Sequence, residues 1–324
     1  MKMTRRCALA LSAASLLLST AAAQAQAWPA KPVRLIVPFP PGGGTDTIAR
    51  EVANKVANSG YTFVIENRPG SGGNLGVDAA AKAQADGYTF VIGQTSNLAI
   101  NPSLFAKLPY DPAKDLTPVS LVASAPLVIV TGANSPYKSL DDVIKAARAQ
   151  PGSINYATSG NGTVAHLAAE SFQKAANIKM THIPYKGAAQ GVTDVMSGQV
   201  QLYVSSIPTL ISHVKSGKMR AIAVTSARRA DDLPQVPTIA ESGFPGFDAV
   251  TWFGFLGPAN LPREVVAKFN ADINKALADP ELKKKLGDQG ADVEGSTPEQ
   301  FGKLIRDDIT RWGRIVRESG AKVD

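Results

Sequence analysis

The sequence predicts an α/β fold of two lobes, with parallel-rich sheets flanked by helices and a ligand cleft between the lobes. Three observations carry that prediction. Short β-branched runs alternate with amphipathic stretches between residues 33 and 225, and strand–helix alternation produces parallel sheets covered by helices. The alternation comes as two series separated by a long apolar run over 118–131. After a second extended apolar stretch, 249–256, only helices are expected. Having no sheet of their own, these return to the first series, so the chain crosses twice between lobes and forms a hinge. The length of 324 residues fits two domains of about 150 each.

Residues 1–27 stand apart. Lys2, Arg5 and Arg6 precede an apolar stretch over 7–18, followed by overlapping small-residue sites at Ala21-Ala22-Ala23, Ala23-Gln24-Ala25 and Ala25-Gln26-Ala27. A charged head, an apolar core too short to span a bilayer and a small-residue site make a secretory signal peptide, with cleavage expected after Ala25 or Ala27. Thr4-Arg5-Arg6 also permits a twin-arginine reading, though ordinary secretion is preferred. The segment holds no Asp or Glu, so its removal takes three positive charges and lowers the net charge from +7 to +4. That excess is too mild to predict a nucleic-acid partner. Cys7 is the only cysteine and leaves with the segment, which excludes disulfides, thiolate metal sites and a cysteine nucleophile. No later stretch offers about 18 uninterrupted apolar residues, so the exported chain is expected to stay out of the membrane, as a monomer.

In the first series Val33–Val37, 61–65 and 88–92 read as buried strands, with helices over 45–58 and 77–85. The second series reads as helix 140–150, strand 154–157, helix 164–177, strand 180–183, helix 188–197, strand 201–204, helix 208–216 and strand 220–225. Pro-rich Leu233-Pro234-Gln235-Val236-Pro237 then leads to helices over 263–277, 280–289 and 298–319. In the last of these Arg306, Arg311, Arg314 and Arg317 alternate with Ile305, Ile309, Trp312, Ile315 and Val316, one wet face and one buried face.

The candidate site residues lie where strands end. Pro40-Pro41-Gly42-Gly43-Gly44-Thr45-Asp46 follows the first strand and opens the first helix. Glycines let a ligand approach backbone N–H groups, and the helix N-terminus favours an anion. Neither a dinucleotide fingerprint nor a P-loop fits these residues, and a plain glycine-rich turn is the alternative. The second series repeats the device with Thr158-Ser159-Gly160-Asn161-Gly162-Thr163, and the two loops would face each other across the cleft. Pro184-Tyr185-Lys186-Gly187 adds an aromatic ring, a cation and a glycine. Weaker candidates are Gln94-Thr95-Ser96-Asn97, Ser205-Ser206 and Trp252-Phe253. Asn67-Arg68-Pro69-Gly70-Ser71-Gly72-Gly73-Asn74 reads as a structural loop before an anion-binding one.

Catalytic readings have little support. The histidines are His166, His182 and His213, and no H-E-x-x-H, G-x-S-x-G or EF-hand pattern occurs. His166 sits in the first turn of its helix, where it either helps hold an anion or is structural. The paired acids Asp141-Asp142, Asp231-Asp232 and Asp307-Asp308 fall in polar loops or on helix faces, where adjacent acids do not converge. An exported hydrolase or isomerase using His166 and Lys186 is the rival from another class. No cofactor and no metal is expected.

With these residues in view, the chain resembles the periplasmic solute-binding receptors of tripartite tricarboxylate transporters, the Bug proteins. The resemblance rests on Pro38-Phe39-Pro40-Pro41-Gly42-Gly43-Gly44-Thr45-Asp46, Glu66-Asn67-Arg68-Pro69-Gly70, Asn101-Pro102-Ser103-Leu104 and Leu108-Pro109-Tyr110-Asp111-Pro112. It continues through Gly160-Asn161-Gly162-Thr163 with His166-Leu167, Pro184-Tyr185-Lys186-Gly187, Gly217-Lys218-Met219-Arg220 and Val236-Pro237-Thr238-Ile239-Ala240-Glu241. It implies a type II periplasmic binding fold with a discontinuous first lobe, 28–125 and 250–324, and a second lobe, 126–249. It implies a small organic acid as ligand and the large and small membrane subunits of a tripartite transporter as partners. The implied ligand residues are Gly43, Gly44, Thr45 and Asp46 from one side and Ser159, Gly160, Asn161, Gly162, Thr163, Tyr185, Lys186 and Gly187 from the other. Ser96, Asn97, His166, Ser205 and Trp252 complete the set read from the chain. Many members carry an acid where this chain has Ser205, which favours ligands without an amine. A sensory subunit of a two-component system is the alternative use of the same fold.

Overall fold

The computed structural model describes residues 28–319 and 321. The chain divides into an N-terminal unit, Met1–Ala30, and a body, Lys31–Asp324. The signal-peptide reading lies outside the described residues, and every strand and helix of residues 33–319 belongs to the body.

The first series runs β1 (Val33–Val37), α1 (Gly44–Val56), β2 (Phe63–Asn67), α2 (Asn74–Ala81) and β3 (Thr89–Gln94). A π-helical turn, Ser96–Ile100, and the short α3 (Asn101–Leu104) lead to the long β4 (Leu116–Gly132). The second series is α4 (Leu140–Ala149), β5 (Asn155–Thr158), α5 (Val164–Ala176), β6 (Thr181–Pro184), α6 (Ala188–Met196), β7 (Leu202–Ser206), α7 (Ile207–Lys215) and β8 (Met219–Val224). The chain finishes with β9 (Val250–Pro258), α8 (Arg263–Leu277), α9 (Pro280–Gly287), β10 (Asp292–Val293) and α10 (Pro298–Ser319).

The strands follow one path, β2-β1-β3-β9-β4-β7-β5-β6, with β8 and β10 also paired to β4. Its two ends are parallel, β2-β1-β3 and β7-β5-β6, as strand–helix alternation requires. The middle is antiparallel, because β4 and β9 are the crossing strands and run in opposite directions. Residues Leu116 to Pro126 of β4 pair with β9, and from Leu127 onward β4 pairs with β7 and β8. Thus one seventeen-residue strand belongs to both series.

β1 is nearly all apolar because helices cover both of its faces; Val33, Leu35, Ile36 and Val37 are fully buried. β2 begins at Phe63, two residues after the expected start. Tyr61 instead stacks on Phe63 at 5.5 Å and donates its hydroxyl to Asp272 at 2.9 Å. α2 begins three residues early, at Asn74, because Gly73 in a left-handed conformation turns the chain into the helix.

Two expectations for the C-terminal part are corrected. It is not purely helical: β10 pairs Asp292 with Ser124 and Val293 with Ala123 on β4, and two residues are too few to leave a period-two signal. Asp308, expected on a polar helix face with Asp307, is buried and accepts a hydrogen bond from Trp252 Nε1 at 2.7 Å. The arginine face of α10 is wet, and the opposite face buries Phe301, Ile305, Trp312 and Val316. That face packs on β4, the π turn and α5. Large side chains buried in this way contribute about 1.5–3 kcal/mol each.

Candidate functional site

Four helices, α1, α5, α6 and α7, begin at one cavity of about 50 Å³. α1 contributes Gly43, Gly44 and Thr45, α5 contributes Thr163, Val164 and Ala165, α6 contributes Gly187 and Ala188, and α7 contributes Ser206 and Thr209. Strand ends supply Gln94, Ser96, Ser159, Ser205 and Thr251, and Phe39, Pro40 and Leu127 complete the wall. Eight of these residues carry hydroxyls, one carries an amide and none is charged.

The helix starts explain what such a wall can do. The first N–H groups of a helix lack intrahelical acceptors, and the aligned peptide dipoles give that end about half a positive charge. Ser139 and Asp279 cap α4 and α9 with their own side chains. The N-caps of α1, α6 and α7 are Gly43, Gly187 and Ser206, and none provides a side-chain cap. Only Thr163, opening α5, caps its helix, accepting from His166 N at 3.3 Å while donating to Gly160 O at 2.9 Å. Each helix end stabilises an anion by about 0.3–1 kcal/mol when exposed and up to about 2 kcal/mol when partly buried.

The two series meet here. Gly44 N donates to Thr209 Oγ1 at 3.0 Å, and Thr209 Oγ1 is 3.2 Å from Ser206 Oγ. A Cβ on Gly44 would sit 2.7 Å from Ser206 Oγ, so glycine is what permits this approach. Gly162 plays the same part on the other rim: its φ is +76°, and a Cβ would meet Asn101 Oδ1 at 2.6 Å.

Asp46 does not line the cavity. Its carboxylate accepts from Gly42 N at 3.0 Å, Arg50 Nε at 3.0 Å and Asn67 Nδ2 at 2.8 Å, and pairs with Arg50 at 2.9 Å. Asn67 Nδ2 also reaches Phe39 O at 2.9 Å. The carboxylate therefore braces the 39–44 turn from behind. Burial opposes its charge, but the bonds from Arg50, Asn67 and Gly42 outweigh that and hold its pKa below the ordinary value. The 67–74 loop, read as structural, thus supplies Asn67 to this brace.

His166 also lies behind the wall. It is buried, its Nδ1 accepts from Gly162 N at 3.4 Å, and its ring stacks on His182 at 4.2 Å. His182 Nε2 is 2.7 Å from Thr158 Oγ1, which donates to Gly160 O at 3.1 Å. Burial, and then the neighbouring His166, push the His182 pKa down to about 3; burial lowers that of His166. The His166 ring is neutral, as its Nδ1 accepting an N–H requires, and the lowered pKa of His182 keeps that ring neutral at neutral pH. They hold the 158–163 turn in shape.

Of the sequence-predicted residues, the cavity gathers Gly43, Gly44, Thr45, Ser96, Ser159, Thr163, Gly187 and Ser205. Gly160, Asn161, Tyr185 and Lys186 line an adjoining outer groove, while Gly162 sits against Asn101. Asn97 is fully buried beneath Gln94, accepting from Gln94 N at 3.0 Å. The reading of Trp252 as a ligand contact is corrected: its indole points away, to Asp308 and the edge of Phe301. Alternation along β9 sends Thr251 to the cavity and Trp252 to the other face. Leu127, Val164, Ala165, Ala188, Thr209 and Thr251 are the lining residues the sequence did not disclose. No group of three or more His, Cys, Asp or Glu able to hold a metal occurs among the described residues. No helix among them is long and apolar enough to cross a membrane.

Comparison with known proteins places this geometry. The profile of the tripartite tricarboxylate transporter family receptor matches residues 48–321. Protein BugT of Bordetella pertussis is 40% identical over 301 residues, covering 92% of each chain. The structure of Rpa4515 of R. palustris with adipate superposes with a TM-score of 0.88 at 35% identity, covering 91% of this chain and all of that one. That of the periplasmic binding protein BugD superposes with a TM-score of 0.87 at 31% identity, covering 91% and 99%. The architecture is that of the periplasmic binding proteins, and the chain belongs to the tripartite tricarboxylate transporter receptor family, that of the Bug solute-binding proteins.

Proposed function

We propose that the protein is exported to the periplasm, captures a small carboxylate-bearing metabolite in this cavity and delivers it to the large and small membrane subunits of a tripartite secondary transporter. The observation that carries the reading is the convergence of four helix N-termini, three without a side-chain cap, on a cavity rich in hydroxyls and free of charged side chains. Such a wall stabilises an anion without an ion pair and needs no covalent chemistry. With no acid in the lining, an ammonium group has no counterion, so amines are disfavoured. The relative with adipate binds a carboxylic acid, which supports the same class here.

In this reading the lobes are 28–125 with 250–324, and 126–249. The exchange of β4 partners between Pro126 and Leu127, and the start of β9 at Val250, support those boundaries. Closure is a hinge motion about these strands, and contacts such as Gly44 to Thr209 form only in the closed state. Titration calorimetry of the purified protein, unfolded and refolded to strip carried-over ligand, with mono-, di- and tricarboxylates tests the reading. One-to-one saturable binding of an acid recovered unchanged supports it; turnover of the acid, lost in His166→Ala, would replace it with an enzyme.

A further inference from the structure

Two stretches that carry the resemblance, Asn101-Pro102-Ser103-Leu104 and Leu108-Pro109-Tyr110-Asp111-Pro112, line neither the inner cavity nor the groove beside it. With Phe105 they build a socket for the second series instead. Gly162 is buried in it: a Cβ there would meet the Asn101 amide at 2.6 Å, Phe105 at 3.0 Å and Leu104 at 3.2 Å, so only a residue without a side chain seats this closely. The preceding carbonyl, Asn161 O, comes as near to the 70–73 turn, where a Cβ on Gly72 would meet it at 2.9 Å.

Both backbone polar groups of Gly162 are engaged. Its N–H donates to His166 Nδ1 at 3.4 Å within the second series. Its carbonyl faces the Asn101 amide, which is satisfied at both ends when Nδ2 is turned toward it: Nδ2 then donates to Gly162 O at 3.0 Å and to Ser96 O at 3.3 Å, and Oδ1 meets the Asn74 amide at 2.6 Å. Tyr110 supports that amide pair, its hydroxyl lying 2.9 Å from the Asn74 side chain and donating to Asn97 O at 2.6 Å. Asn74, Asn97, Asn101 and Tyr110 are all buried, so the first series alone holds the donor in place.

Resting on the proposed receptor function, we infer that Asn101 is a positioning residue for closure. It lines no part of the cavity; its bond to Gly162 O seats the 158–163 turn on the first series and thereby sets where Thr163, Val164 and Ala165 open α5 at the ligand. When the lobes part, water can serve both groups. In the closed state the carbonyl is buried, and a buried carbonyl that lost this donor would penalise closure and hence binding.

Asn101→Asp removes the donor with almost no change of shape, and acid restores it, because a protonated carboxyl donates to a carbonyl and burial raises the pH at which the carboxyl protonates. Calorimetric titration of the wild type with mono-, di- and tricarboxylates, from acetate through adipate to citrate, identifies the tightest acid, which is then titrated into both proteins at pH 8 and pH 5. The variant is expected to bind about tenfold more weakly than wild type at pH 8 and within about twofold of it at pH 5. A ratio near one at pH 8, or a loss that acid leaves unrepaired, would overturn the inference and leave the receptor reading intact. If the variant does not fold, Gly72→Ala, whose Cβ presses on Asn161 O, carries the test at a temperature where it is folded: binding about tenfold weaker supports the seat, and unchanged affinity overturns it. Acids of every class failing to bind the wild type would overturn the proposed function, and this inference with it.

Discussion

The backbone N–H of Gly44 donates to the hydroxyl of Thr209 at 3.0 Å, across 165 positions of sequence and from the first series of the fold to the second. One residue opens α1 and the other lies in the first turn of α7, so the bond ties together two of the four helix ends that make the cavity.

A side chain at Gly44 would break that tie. In Gly44→Ala the new Cβ would meet Ser206 Oγ at 2.7 Å and Thr209 Oγ1 at 3.2 Å, so the two turns must move apart. Ligand affinity is expected to fall at least tenfold, while the melting temperature of the ligand-free protein stays within about 3 °C. Thr209→Val, which keeps the shape and removes the hydroxyl, is expected to cost about 1 kcal/mol of binding. Calorimetric titration checks both.

Asp46 acts on the same loop from behind. A carboxylate held below its ordinary pKa stabilises the fold at any pH above that ordinary value, and the contribution fades as pH falls through the lowered one. Asp46→Asn is expected to melt below wild type at pH 7 by an amount equivalent to about 1–3 kcal/mol. The gap should close in acid. Melting curves from pH 7 to pH 3 measure it, and affinity should drop because the 39–44 turn loses its brace.

The stacked histidines set a second pH dependence. A histidine whose folded pKa is depressed stays neutral in the fold while the unfolded chain takes up a proton below about pH 6.5, so stability falls as pH drops through that window. For His182 the window runs from about 6.5 down to about 3. Each group contributes a slope of up to about 1.4 kcal/mol per pH unit. Denaturant unfolding between pH 7 and pH 4 should show this slope, and His182→Gln should flatten it.

Much of this was legible in the chain. The 40–46 and 158–163 turns announce themselves because glycines directly follow a strand and open a helix, and α8 and α10 match their expected bounds because their apolar periods are regular. What failed was orientation. Trp252 is a weaker ligand candidate from its place in the second crossing, but the pleat of β9 turns Thr251 to the cavity instead. Thr209 gave no signal, since one hydroxyl in the first turn of an amphipathic helix resembles any other. Asp46 and His166 read from the chain as ligand residues, whereas their side chains are bonded into the loops behind the cavity, a distinction that depends on where side chains rotate.

Trp252 and Asp308 yield a prediction that separates fold from site. Asp308→Ala leaves the buried indole N–H without its partner and is expected to destabilise the protein by about 1–3 kcal/mol. Neither residue lines the cavity, so ligand affinity at a temperature where the variant is folded should match wild type. Chemical denaturation and calorimetry together separate the two effects.

In the proposed receptor, helix ends and hydroxyls, with no charged side chain, hold a carboxylate in the inner cavity. Thermal melting of the refolded, ligand-free protein against carboxylic acids and their isosteric carboxamides tests it most directly. An acid at 100 times its dissociation constant should add about 2.7 kcal/mol and raise the midpoint saturably, while its amide, lacking the charge, should raise it little or not at all. Equal shifts from acid and amide, or no shift from any acid, would contradict the proposed anion site.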